Sequence, residues 1–334
     1  MASPSVSILL KKHDFGQRNR LAFASGAQIV FDILRGGFIQ MIVLRLRGDL
    51  VVSGGTVNGA VLGENPGNLV TQVIMDASPV GQIVNLTPRS LIRSTMFDWG
   101  RQLVGTALTG AAGTFTLDQD YYLPFGPPTM PRPIECSLQT EAFASIQLRA
   151  TCGTRDTQFT GNDRTFNFAA VTLDVLDQRE FMAGQTALLF QYDLVRTIAA
   201  ANPAFTISDW YVGRRILQHL YSFETTNQAL ADTILNANEP SALVVQSGNA
   251  VFARGSGLDY RAFNVTRISD AAQTMTGVRT VFLSPDMTLE GAIDARQLSQ
   301  IQTQFNFAAP GAGADRVIAM SREVLLAGDL SAGR

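Results

Sequence analysis

Short apolar runs broken by glycine, proline, asparagine and aspartate set the rhythm of this chain from residue 21 onward. Ile42, Leu44 and Leu46 alternate with Val43, Arg45 and Arg47, which makes one side of that segment apolar. Ile146, Leu148, Ala150 and Cys152 alternate with Gln147, Arg149 and Thr151, and Val171, Leu173 and Val175 repeat the pattern. A period of two with β-branched residues predicts half-buried strands. Further apolar runs at 82–86, 115–117 and 134–138 fit the same framework.

Helical periods are scarce. One capped helix is predicted after Leu86, because Thr87 suits the N-cap and Pro88 the first helical position. Leu91, Ile92, Met96 and Trp99 then share a face, and the helix is expected to end near Gly100. A second candidate covers residues 227–238, with Leu230 and Ile234 one turn apart.

The two halves of the chain echo each other. Ser145-Ile146-Gln147-Leu148 precedes a turn, the strand at 171–176 and Arg179-Glu180. Ser299-Gln300-Ile301-Gln302 likewise precedes Pro310-Gly311-Ala312-Gly313, the run at 317–320 and Arg322-Glu323. The polar stretch 177–185, with Gly184 inside it, marks the boundary between them. The expected division is a basic arm at 1–20, a first jelly roll at 21–178 and a linker at 179–186. A second jelly roll at 187–327 and a tail at 328–334 follow. The pattern predicts an all-β fold of two consecutive β-sandwiches or jelly rolls with short helical excursions. Strands alternating with long helices, which Rossmann and TIM-barrel folds require, are missing from the pattern.

Composition narrows the function. Of 334 residues 46% are hydrophobic and 16% charged, against roughly 25% charged in ordinary soluble domains. That excludes a disordered chain and predicts surfaces covered by something other than water. A net charge of −2 argues against an electrostatic nucleic-acid binder, so no sequence-specific nucleic-acid partner is expected. Among 26 basic residues only Lys11 and Lys12 are lysine. Arginine, with its planar and weakly hydrated fork, is favoured over lysine at interfaces, and a high-GC genome produces the same bias. The start lacks a basic n-region, so no secretory signal is expected. The longest hydrophobic region, 22–46, is interrupted by Asp32, Arg35, Gln40 and Arg45, too often for a transmembrane helix. These features predict a cytoplasmic product.

Candidate chemistry is thin. A Ser-His-Asp or Cys-His site would need His13 or His219 as its base, and neither Ser208, Ser222 nor a cysteine forms a nucleophile elbow. Cys136 and Cys152 are expected to be buried free thiols rather than a disulfide framework. Two histidines and two cysteines, widely scattered, make no common zinc site. Asp118 and Asp120 flank Gln119 on one side of a strand, a geometry open to calcium or glycoside chemistry and equally to a plain turn. The glycine clusters lack the Lys-Ser/Thr ending of a phosphate loop and read as loop tips. Asn85-Leu86-Thr87 and Asn264-Val265-Thr266 are sequons without meaning in the absence of secretion. Twenty phenylalanines against six tyrosines and two tryptophans imply core filling, so Tyr121-Tyr122 and Trp210-Tyr211 are read as packing rather than a sugar platform. No cofactor and no enzyme activity are expected.

Residues 38–48 (FIQMIVLRLRG), the capped helix from Thr87, Tyr122-Leu123-Pro124-Phe125-Gly126 and the Ser-Ile-Gln-Leu strand with its echo carry one resemblance. Together they resemble the double jelly-roll major capsid proteins of tailless icosahedral viruses, the lineage of tectiviruses, corticoviruses, finnlake-type lipid-containing phages and the adenovirus hexon. The resemblance implies pseudo-hexagonal homotrimers that tile an icosahedral virion shell, with vertex and minor capsid proteins as partners. It also implies an arm on the inner side of the shell. In membrane-containing members that side faces lipid, where Lys11, Lys12, Arg18 and Arg20 would meet anionic headgroups, each contributing about 1 kcal/mol. The bland counterpart is that these four keep the arm soluble. Other classes remain open from sequence: a two-domain β-sandwich carbohydrate-binding or virion spike protein, and an enzyme using Asp118, Asp120 and Glu135 or Glu141.

Overall fold

The computed structural model describes residues 14–55, 60–61, 67–99, 108–109, 111–160, 163–180, 186–198, 204–224, 240–268, 277–307 and 315–326. In the first half the strands are β1 (Asp14–Ala22), β2 (Gln28–Asp32), β3 (Phe38–Ser53), β4 (Ala60–Val61), β5 (Val70–Ser78) and β6 (Gly81–Leu86). Helix α1 (Pro88–Trp99) separates these from β7 (Gly113–Pro124), β8 (Leu138–Gln139), β9 (Ser145–Cys152), β10 (Phe159–Thr160), β11 (Thr165–Asn167) and β12 (Thr172–Glu180). The second half holds β13 (Ala187–Ile198), β14 (Ala204–Ile207), β15 (Arg215–Glu224), β16 (Pro240–Ser247) and β17 (Ala250–Gly255). Helix α2 (Gly257–Ile268) then leads to β18 (Val278–Phe282), β19 (Ile293–Asp294), β20 (Gln302–Phe307) and β21 (Asp315–Leu326).

Counting strands of four residues or more, the two halves have the same topology. One sheet of the first half runs β1-β12-β3-β7 and the other β6-β5-β9-β2. In the second half the sheets run β13-β21-β15-β18 and β17-β16-β20-β14. Each reads first-eighth-third-sixth and fifth-fourth-seventh-second, the order of a jelly roll. The sequence echo falls on equivalent strands: residues 145–148 lie in β9 and 302 opens β20, both seventh, while β12 and β21 are both eighth. The helices are equivalent too, each joining the fifth strand to the sixth.

The halves are not separate beads. Short parallel pairing of Gln191 with Val84 and Tyr192 with Asn85 joins β13 to β6, fusing two four-stranded sheets into one nine-stranded sheet that includes β19. The alternation read from sequence is realised in β3, where Ile42, Leu44 and Leu46 point into the first core. Leu188, Phe190, Leu220, Val278 and Met320 of the second half join that same core. A second core around Tyr221, Phe223, Val317 and Phe305 fills the second sandwich. The sheet between the two cores is covered on both faces, and β15 is buried from Ile216 through Glu224.

Several boundaries differ from those expected. Residues 14–20 belong to β1, which pairs with β12 from Asp14↔Arg179 to Ala22↔Thr172. The arm drawn at 1–20 thus overlaps an edge strand. β12 continues to Glu180, with Arg179 buried and bonded to Asp177 and to the carbonyls of Leu34 and Gly36. Pro133–Cys136, overlapping the run at 134–138, forms a 3-10 turn with proline in its first turn. The helix expected at 227–238 lies outside the described residues. Helix α2 was not foreseen, because Asn, Val and Thr in its second half favour other conformations.

Gly48 illustrates a local constraint in β3. Its φ is +120°, and a Cβ there would stand 1.9 Å from the carbonyl oxygen of Ala170. Gly48→Ala is expected to destabilise the protein by about 1–3 kcal/mol. Urea denaturation measures this, and an unchanged midpoint would contradict the backbone conformation assigned here.

Candidate functional site

The most elaborate polar arrangement in the described residues lies where α1 meets the second half. Thr87 caps the helix as its sequence predicts, its Oγ accepting from the Ser90 amide at 3.4 Å. A carboxylate from the other half completes the cap: Asp193 on β13 accepts from the Thr87 amide at 2.8 Å, the Thr87 hydroxyl at 2.7 Å and the Ser90 hydroxyl at 2.6 Å. An anion at a helix N-terminus is favoured by the helix dipole and the free amides. Burial raises the Asp193 carboxyl above its ordinary range, against the pull of those donors.

One turn further on, Arg93 donates to Glu224 on β15 at 2.6 Å, and both side chains are 0% exposed. Arg89 reaches the same carboxylate at 2.9 Å, and Arg316 on β21 also pairs with it. Burial opposes ionisation of Glu224, but Arg93, Arg89 and Arg316 outweigh it and hold the carboxyl below its ordinary value. At the far end of α1, Asp98 takes a fork of 2.8 and 2.6 Å from Arg322, itself 0% exposed. Arg322 also donates to Gln191, which donates to the Pro124 carbonyl. This junction was invisible in the sequence, since Arg93 and Glu224 are 131 residues apart. The one available signal was three charged residues, Arg89, Arg93 and Asp98, inside an apolar helix.

The paired aspartates singled out from sequence are structural. Asp118 and Asp120 stand opposite Arg47 and Arg45 in the β3–β7 register. Arg45 holds Asp120 in a fork of 3.0 and 3.2 Å, while Arg47 pairs with both aspartates. Cross-strand ion pairs, rather than a turn, account for the D-x-D spacing. Among the described residues no group of three His, Cys, Asp or Glu is placed to hold a metal. Glu135 pairs with Arg132, and Glu141 is exposed. Two grooves, one beside Arg89 and Arg316 and one beside Tyr192 and Arg214, include none of these four carboxylates.

His219, both cysteines, Tyr121 and Trp210 are absorbed by packing. His219 is buried, stacked on Trp210 at 4.0 Å and bonded to the Tyr221 hydroxyl at 2.9 Å. Burial pushes it down to about 3, so it is neutral and a poor base. His13 lies outside the described residues. Cys136 and Cys152 are free and buried, and burial pushes Cys136 up to about 12. Tyr121 and Trp210 are buried, whereas Tyr211 is exposed and lies over the Arg214 guanidinium at 4.3 Å. Asn264 accepts from the Thr280 amide and donates to its carbonyl, so that sequon is closed. Lys11 and Lys12 fall outside the described residues. Arg18 sits at the bulge in β1, and Arg20 grips Asp174 at 3.0–3.2 Å while remaining 60% exposed.

No protein-family model matches this sequence, and no curated protein sequence matches it. Solved structures do match the fold. The major capsid protein of STIV, the Sulfolobus turreted icosahedral virus, superimposes with a TM-score of 0.72 at 14% identity, covering 95% of this chain and 97% of its own. The major capsid protein P2 of bacteriophage PM2 gives 0.60 at 13%, covering 94% and 98%. A quasi-atomic model of the PBCV-1 virus capsid gives 0.58 at 12%, covering 97% of both chains. The likeness spans both halves and their order.

Glu224 generates a test. A carboxyl held below its ordinary value of 4.5 adds stability above that pH and loses it as pH falls through the lowered value. Glu224→Gln strands buried guanidinium groups and is expected to cost about 3–5 kcal/mol at pH 7. The gap between variant and native protein should narrow below pH 4.5. A penalty independent of pH would contradict the ionised junction.

Proposed function

We propose that this double jelly-roll chain is a major capsid protein, three copies of which form a pseudo-hexagonal capsomer that tiles an icosahedral virion shell around an internal membrane. The observation that carries this reading is the repeated strand order joined by a buried junction. Two similar upright sandwiches held rigidly side by side make one third of a hexagonal outline. The match in length with capsid proteins from end to end supports it, as does the placement of His219, Cys136 and Cys152 in packing and of Asp118, Asp120 and Glu135 in ion pairs. The chain acts by self-assembly and not by catalysis. Its partners are further copies of itself, vertex and minor capsid proteins, and lipid; it is made in the host cytoplasm and resides in the virion.

The wall units of this proposal are the sandwich from β1 to β12, which takes in the expected 21–178 together with the ends of both strands, and the sandwich from β13 to β21 within the expected 187–327, with the tail at 328–334 after it. The inward basic group comprises Lys11 and Lys12 of the arm with Arg18 and Arg20 on β1, the edge strand that follows it. Because β1 begins at Asp14, the segment removable without stripping an edge strand is 1–13.

Light scattering coupled to size exclusion is expected to give three times the chain mass, persisting on dilution. A stable monomer would sink the capsomer reading and direct attention to glycan binding. Deleting residues 1–13 should leave that oligomer intact and weaken its binding to phosphatidylserine vesicles. Equal vesicle binding by both forms would remove the membrane role of the arm.

A further inference from the structure

Helices α1 and α2 are equivalent in topology and equal in length, twelve residues each. Laid residue on residue, Thr95 coincides with Asn264. Each turns toward the sixth strand of its own half, Thr95 to the Tyr122 carbonyl on β7 and Asn264 to Thr280 on β18. The inner faces therefore correspond. Arg89 and Arg93, the residues that α1 plants on the second half, coincide with Leu258 and Ala262.

Their surroundings do not correspond. Helix α1 is buried on nearly every side, because the sheet β13-β21-β15-β18 covers its outer face. On α2, residues 258, 259, 261, 262 and 263 are all exposed, with Leu258 at 61% and Phe263 at 47%. Leu258, and the part of the Phe263 ring beyond its edge contact with Phe282, present apolar surface to solvent on the side that the repeat uses for docking.

The receiving surface is also present, and its Arg47–Asp118 end faces solvent. The sheet β1-β12-β3-β7 is the first half's counterpart of β13-β21-β15-β18. In the second half Glu224 at the end of the third strand stands opposite Arg316 at the start of the eighth. The matching position in the first half is Arg47 opposite Thr172, with Asp118 facing Arg47 from the sixth strand. Glu224 is fully covered, whereas Asp118 is 68% exposed. Arg261 on α2 has no ion pair among the described residues, and Asp118, although paired with Arg47, keeps most of its carboxylate in solvent, so the two exposed charges are of opposite sign.

We infer that α2 docks on the outer face of the β1-β12-β3-β7 sheet of a second copy, as α1 docks on the second half of its own chain. The occupant is argued from the intrachain junction, which shows this pair of surfaces, helix and first-eighth-third-sixth sheet, in contact once already. The contact is heterologous, and closure after three copies yields six like junctions, three within chains and three between. This rests on the capsomer reading above and adds the surfaces that build it.

The double variant Leu258→Asp with Phe263→Asp and the single variant Arg261→Glu change exposed side chains, the double variant also losing the Phe263–Phe282 edge contact. Sedimentation should shift both from trimer toward monomer mass, with circular-dichroism melting close to that of the native protein. Carbodiimide labelling gives a second readout that needs no folded double variant: the Asp118 carboxyl should be protected in the native oligomer and labelled in Arg261→Glu. A native trimer that survives the substitutions, with Asp118 equally labelled in both, overturns this inference and leaves the capsomer intact. A native monomer overturns both.

Discussion

A single buried carboxylate organises this molecule. Glu224 is sealed from water with Arg93 against one oxygen and Arg89 and Arg316 against the other. A charge so placed is tolerable only when its partners are present, and two of those partners come from the opposite half of the chain. The same helix is capped by Asp193 and anchored at its other end by Arg322, so three separate contacts fix its position. Hydrophobic burial would press the halves together at many angles; paired charges accept very few. The nine-stranded sheet then carries this fixed geometry from β2 to β18.

The low charge of the chain and its arginine bias take on a different meaning in this light. From composition, arginine suggested contacts between subunits. In the structure Arg45, Arg47, Arg93, Arg179, Arg316 and Arg322 hold carboxylates of the same chain. A forked, weakly hydrated cation suits such buried pairs better than an ammonium. What the described residues leave in solvent includes apolar spots such as Leu258 and Phe263, a composition that favours tight packing over long-range attraction at any contact made there.

What was legible in the sequence follows from which strands have one wet face. β3 and β9 alternate in burial, and their period of two announced them. β15 is dry on both faces, so its apolar and polar residues run together and no period survives. Helix α1 was readable because its cap is local, Thr87 followed by Pro88. Helix α2 has a local cap as well, Ser256 and Asp259 bonding each other's amides, and that spacing was the overlooked signal. Asp118 and Asp120 were noticed, but their partners lie more than 70 residues earlier, and only strand register brings them together. The ionic junction depends wholly on such long-range placement.

Electron cryo-microscopy of the soluble oligomer tests the central claim most directly, since that claim is that six equivalent jelly-roll junctions close into one ring. The account predicts a hexagonal outline with six lobes, in which α2 of each chain lies across the β1-β12-β3-β7 sheet of the next. Isolated two-lobed particles, or three chains meeting through other faces, would contradict it.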